Sequence, residues 1–147
     1  MRWITRSHVH VDRVACPWLI RRFVDSQAEF MFVPASQVME LAATFKATPF
    51  DAGGKAQPLD HHDGLCTFEA IIEHYGLSYP ALKLMGQIVH GADIADAGGK
   101  HQVSDGLEAL AVGYSLLFPD DLQNLEAQFT LYDALYAWCR LQTQSAR

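Results

Sequence analysis

Strand-type sequence is confined to the first fifty residues, and that asymmetry limits the fold more than any other feature of the chain. Trp3 to Thr5, the run Glu29-Phe30-Met31-Phe32-Val33 and the triplet Thr48-Pro49-Phe50 read as short strands by residue type. The stretch 51–64, rich in Gly, Pro and Asp, reads as loop. Everything beyond it carries helical spacing, so the sheet is small and helices supply most of the core.

Helix signals fall at regular intervals. Asp12 suits an N-cap for a helix from Arg13 to Val24, amphipathic with a basic face of Arg13, Arg21 and Arg22. Pro17 argues that this helix starts late or is kinked. Ser36 is read as the cap of a helix reaching Ala47. Thr67 begins another, stopped near Tyr75 by Gly76. Pro80 suits the first turn of the next, which continues to about Ala92. A Gly-containing loop is expected over 97–103, then a helix from Ser104 to Phe118 closed by Pro119. Asp120 or Asp121 caps a last helix to about Leu141, with 142–147 expected to fray. This is one α+β domain over 1–147, mostly helical, with about six helices and two or three short strands. The strand order is not readable from this pattern.

Composition excludes several functions. The net charge of −6 argues against a nucleic-acid binder, so no nucleic-acid partner is expected. Yet Arg2, Arg6, Arg13, Arg21 and Arg22 put five of the eleven Lys and Arg residues in the first 22 positions, a local excess suited to a small anion. Cys16, Cys66 and Cys139 are odd in number and lack a CxxC pair, which fits a reducing cytoplasm better than a disulfide framework. No apolar leader follows Met1 and no stretch approaches a membrane span. Homodimerisation is left open.

Ligand-type side chains are densest in Leu59-Asp60-His61-His62-Asp63-Gly64-Leu65-Cys66-Thr67-Phe68-Glu69 and in Ile88-Val89-His90-Gly91-Ala92-Asp93. His61 lies in loop and Glu69 in the first turn of a helix, close enough in sequence to turn onto one ion. His90 and Asp93 are three apart and share a helix face. The four together make a mixed imidazole–carboxylate site for a divalent metal ion, Mn, Fe or Zn. Each pair also has a plain structural reading: Glu69 as the acidic member of a helix start, and His90 as a helix C-terminal histidine. Asp60, His62 and Asp63 read as solvent-facing loop, and His8 and His10 as alternate positions of a strand or loop.

Two further segments carry chemistry. In Asp12 to Phe23, Arg13 and Arg22 suit recognition of an oxyanion. Cys16, near the helix start and close to Arg, is either a redox group with a lowered thiol pKa or a small core residue. In the last helix, Asp133 sits among Tyr132, Tyr136 and Trp138 and needs a partner, for which an Arg of the first helix is the natural choice.

The runs "ITR…DRVACPWLIRRFVD", "AEFMFVPA", "PFD", "HHDGLCTFE", "IVHGAD" and "LYDALYAWCR" together resemble the chromate-resistance protein family, specifically the C-terminal domain of the ChrB type, over nearly the whole chain. The resemblance implies a cytoplasmic protein that senses or handles chromate or the oxidants it generates. It also implies importance for Asp12, Arg13, Trp18, Arg21, Arg22, Asp51, His61, Cys66, Phe68, Glu69, His90, Asp93 and Asp133. The N-terminal region of the longer regulatory members, and with it a DNA-reading role, is not expected here. Three functions follow: a metal-dependent redox protein acting on a small oxyanion such as chromate, with Arg13, Arg22 and Cys16 as its working groups; a chromate or metal sensor without turnover; or a hydrolase or transferase using metal-bound water.

Overall fold

The strand-type runs of the N-terminal third form a parallel three-stranded sheet in the order β2-β1-β3, with β1 Arg2–Arg6, β2 Glu29–Val33 and β3 Thr48–Pro49. The computed structural model describes residues 1–94 and 101–145. Trp3 of β1 pairs with Phe30 on one side and Thr48 on the other. The central strand is buried at Trp3, Ile4 and Thr5, as a strand covered on both faces must be. Trp3 packs edge-on to Phe50 in the main core, while Ile4 joins Val38 and Ala42 in a smaller core on the other side.

Among the described residues, six α-helices complete the fold: α1 Val11–Phe23, α2 Val38–Phe45, α3 Thr67–His74, α4 Pro80–Asp93, α5 Val103–Leu117 and α6 Asp121–Ser145. The α+β, mostly helical class read from the sequence is what the chain adopts. α1 links the parallel strands β1 and β2 and contacts α3, α4, α5 and α6. Nine of its thirteen residues are buried, so it is a central helix and not the amphipathic surface helix that its arginines suggested. It also starts early, at Val11, with Pro17 inside it. Asp12 therefore lies in its first turn and is free to serve another helix.

Other boundaries differ for local reasons. Ser36 lies in a single 3₁₀ turn, Ala35–Gln37, and does not cap α2, which ends at Phe45 with Lys46 in the left-handed region. Pro80 opens α4, and Gly76, at φ +62°, closes the turn after α3. Asp120 accepts the Gln123 N–H at 3.0 Å at the start of α6, which runs past the expected Leu141 to Ser145. Of the loop expected over 97–103, positions 97–100 lie outside the described residues, as do 146–147 of the tail. His8 is not in a strand: its φ is +65°, and its N–H and that of Val9 are both taken by Asp121, at 3.0 and 2.9 Å.

The first and last helices are clasped at their surface. Arg22 donates two hydrogen bonds to Asp133, at 3.0 and 2.8 Å, and the Trp18 indole donates a third at 2.8 Å. This is the Asp133–Arg bridge expected from the sequence. Trp18 and Tyr132 beneath it are fully buried, each burial stabilising the fold by about 1.5–3 kcal/mol. Among the described residues, no helix is long and apolar enough to cross a membrane.

Candidate metal centre

Loop 51–64 is organised by a residue that looked like a surface acid. Asp60 is fully buried. Its Oδ2 accepts the N–H groups of Ala52, Gly54 and Ala56 at 3.0, 2.8 and 3.1 Å, and its Oδ1 accepts the His61 N–H at 2.8 Å. A carboxylate that satisfies four backbone donors fixes the loop and sets where His61 emerges. His62 turns to Asp63 and the Pro58 carbonyl, each at 3.2 Å.

The His61 ring meets three carboxylates from three parts of the chain. Its Nε2 lies 3.3 Å from Asp12 on α1, 3.2 Å from Asp51 at the loop start and 3.5 Å from Asp93 at the end of α4. Asp12 and Asp51 are buried, and His61 is 37% exposed at its side chain, which leaves the group reachable from solvent. One ring proton cannot serve three acceptors. Hydrogen bonding to Asp12 and then to Asp51 pushes the imidazole up to about 10. Burial pushes Asp12 up to about 7 against the hydrogen bond from His61, with repulsion from Asp93 and Asp51 adding to the rise. The two shifts describe one shared proton, and the direction that stands is a cationic His61 among acids that outnumber it.

The two nearby arginines bring the cations to three, but both are directed at one carboxylate. Arg6 donates to the Asp51 carbonyl at 2.8 Å and pairs with its carboxylate at 3.4 Å, and Arg13 pairs with it at 3.3 Å. Burial works to raise Asp51, but His61, Arg6 and Arg13 outweigh it and hold the carboxyl below its ordinary value. Both arginines are thus engaged by Asp51. Among the described residues, the ion-pair partner of Asp12 and of Asp93 is His61 alone. Arg13 Nε is buried without a hydrogen-bond partner.

Asp12 has a second task. Its two oxygens accept the Thr67 and Phe68 N–H groups at 3.0 and 3.4 Å, the free donors of the first turn of α3. Thr67 Oγ1 in turn donates to Asp51 at 2.9 Å. The helix start therefore holds both carboxylates in place.

Glu69 and His90, expected beside His61 and Asp93, meet each other and Cys66. Glu69 Oε1 accepts from His90 Nδ1 at 2.6 Å and from the Cys66 N–H at 3.1 Å. Two ligand groups result, Asp12–His61–Asp93 and Cys66–Glu69–His90, the ligand atoms of each lying within 4.8 Å of one another. The four residues read as one site are divided between them. Ligand atoms bound about 2.1 Å from an ion at tetrahedral angles sit about 3.4 Å apart. The 3.2–3.5 Å from His61 to its carboxylates fits that spacing.

The remaining working groups have other surroundings. Arg22 is held by Asp133. Cys16 is fully buried, with its Sγ 3.8 Å from Asp12. Burial first, and the Asp12 charge after it, raise its thiol well above the ordinary value, which suits the small core residue of the two readings and not the redox group. Asp12 and Asp51 were not singled out as ligands from their residue types. Asp12 looked like a cap of its own helix, and Asp51 like the first residue of a loop. The family resemblance was the one sequence signal that included both.

A sequence profile of the family described as "ChrB, C-terminal domain" matches residues 3–139. Over 137 residues the chain is 33% identical to Protein ChrB of Cupriavidus metallidurans, an alignment that covers 92% of this chain and 40% of that protein. The chain therefore spans well under half the length of this curated relative. No solved structure matches it.

Proposed function

The chain belongs to the ChrB C-terminal domain family, and on that premise we propose that it serves chromate resistance as a metal-binding protein acting on chromate or on the oxidants derived from it. The observation that carries this reading is the convergence of three carboxylates on His61 Nε2. In it, His61, Asp12 and Asp93 hold one divalent ion, with Asp51 alongside. One imidazole with carboxylates and no thiolate suits Mn or Fe, and Zn also fits. When bound, Mn or Fe supplies one-electron redox chemistry and Zn supplies Lewis acidity.

The chain's own residues do the rest. Asp12 and Asp51 are fixed by the start of α3, so the ligands are preorganised. His61 provides the solvent-facing side by which an ion enters. Arg6 and Arg13, both paired with Asp51, offset carboxylate charge beside the centre and so lessen the repulsion that an approaching oxyanion meets. Arg22, taken by Asp133, has no part in this step, and Cys16 is a buried, protonated packing residue. Three buried free cysteines suit the reducing cytoplasm in which such a protein would work.

The test is turnover. Protein reconstituted with Mn, Fe or Zn is assayed for chromate loss with a thiol or NADH reductant supplied, and separately for superoxide removal. Wild type is expected to act in at least one assay and folded His61→Ala in neither. Equal activity in the variant would overturn the metal mechanism.

A sensing role is the second reading, and one observation favours it. Asp12 both faces the ion position and caps α3, so ion binding is coupled mechanically to a helix start. Saturable chromate or metal binding with no consumption of chromate or superoxide would support sensing over catalysis.

A further inference from the structure

Cys66, Glu69 and His90 form a group of their own, and a helix cap alone does not account for it. The capping box of α3 uses Cys66 and Glu69 reciprocally, Glu69 accepting the Cys66 N–H and the Cys66 side chain accepting the Glu69 N–H, and has no need of His90. His90 comes from α4, and its Nδ1 reaches the same carboxylate oxygen. One nitrogen, one oxygen and one sulfur ligand atom thus converge from two helices.

We propose that Cys66, Glu69 and His90 form a second ion position, one turn along α4 from the His61 centre, suited to a divalent ion of borderline softness such as Zn²⁺. It rests on the reading of the His61 group as a metal centre and extends it to a two-ion site. The two positions share a frame: His90 and Asp93 are one turn apart on α4, and Cys66 directly precedes Thr67, whose N–H Asp12 accepts. The thiol is what separates their preferences, because sulfur favours Zn²⁺ over Mn or Mg. On binding, the ion displaces the thiol proton to solvent, and His90 becomes a ligand through Nδ1 as a neutral ring that carries its proton on Nε2. The Glu69–His90 pair opens from 2.6 Å toward about 3.4 Å, a shift of less than 1 Å.

Two of the three ligands are open to solvent, while Cys66 is fully buried behind them. Glu69 and His90 are 23% and 25% exposed at their side chains. Glu69 also lines a cavity of about 670 Å³ between α3 and α4, walled by Leu65, Ile72, Leu77, Tyr79 and Gly86. Gly86 makes space for Glu69: a Cβ there would lie 3.2 Å from Glu69 Cγ. Gly86 is thus a positioning residue for a ligand it does not itself provide.

Cobalt(II) titration of the metal-free chain, read by absorption, tests this, because a thiolate bound to cobalt gives a charge-transfer band that nitrogen and oxygen ligands do not. Serine is a strong N-cap, so Cys66→Ser keeps the start of α3. Wild type is expected to take two equivalents and show the band. Cys66→Ser should lose the band and one equivalent. His61→Ala should lose one equivalent and keep the band. Gly86→Ala should weaken the band-forming site at least tenfold and leave the other unchanged. A wild type without the band, or a Cys66→Ser chain that binds as many ions as wild type, overturns the second position. One equivalent lost in His61→Ala and untouched by Cys66→Ser would leave the His61 centre standing and this proposal refuted. A band with unchanged uptake in His61→Ala would support the Cys66 position and refute the His61 centre.

Discussion

Two arginine–aspartate meetings in this molecule look alike in sequence and differ in consequence. At the surface, Asp133 receives Arg22 and the Trp18 indole, and one carboxylate is matched by one guanidinium. In the interior, Arg6 and Arg13 both serve Asp51, while Asp12 and Asp93 are left to share His61. The first arrangement is complete and holds two helices together. The second matches three cations to three carboxylates in number but not in pairing: both guanidiniums go to Asp51 and one imidazole is shared by all three, in a place where burial makes an incompletely paired charge costly. That uneven pairing leaves several carboxylate oxygens around one imidazole, and this separates the interior group from a surface clasp.

Breaking the interior group at Asp12 should have the largest effect. Asp12→Ala removes the acceptor for two α3 N–H groups and leaves His61 with two carboxylates. The expected loss of stability is about 3–5 kcal/mol, measured by urea unfolding. A loss below about 1 kcal/mol would mean that water or neighbouring groups replace the carboxylate. Asp51→Asn comes next, at about 2–3 kcal/mol, because Arg6 and Arg13 lose their charged partner while Thr67 keeps an acceptor. If Asp51 is only a loop residue, that variant will unfold as wild type does.

The clasp should respond more weakly. Arg22→Ala is expected to cost no more than about 1 kcal/mol, since both partners are more than 40% exposed, and to leave ion uptake unchanged. A change in ion uptake would mean that the clasp and the interior group are not independent. The smallest effect is in acid. Hydrogen bonding from Arg22, reinforced by Trp18, outweighs burial and holds Asp133 below its ordinary value. Its contribution is therefore complete above the unfolded value of about 3.9 and is lost as pH falls through the lower folded one. Asp133→Asn should flatten that part of the stability–pH curve below about pH 4. An unchanged acid limb would show that the pair contributes nothing to stability.

The same contrast explains what could be read from the chain. The clasp was legible because a lone Asp among aromatics needs one partner, and the first helix offers arginines at one face. Short strands in the first fifty residues and Pro- or Gly-bounded helices after them were legible from local chemistry, and Glu29–Val33 forms where its residue types placed it. Pairing of the ligands was not legible. His61, Glu69, His90 and Asp93 are the right residue types, but which meets which depends on how α1 passes the start of α3. Asp12 was assigned to its own helix because capping was judged from sequence neighbours, whereas the donors it satisfies lie 55 and 56 residues away. Asp60 differs: its four N–H donors lie one to eight residues away, but the irregular loop that turns them onto one carboxylate has no periodic pattern to reveal it.

The most direct test of the central claim is metal content by elemental mass spectrometry, on tag-free wild type and on His61→Ala, each reconstituted with Mn, Fe or Zn, desalted and checked for folding by circular dichroism. At least one ion per wild-type chain is expected, with one fewer in the folded variant. Wild-type protein that retains no ion after reconstitution, or a variant that retains as many as wild type, would contradict it.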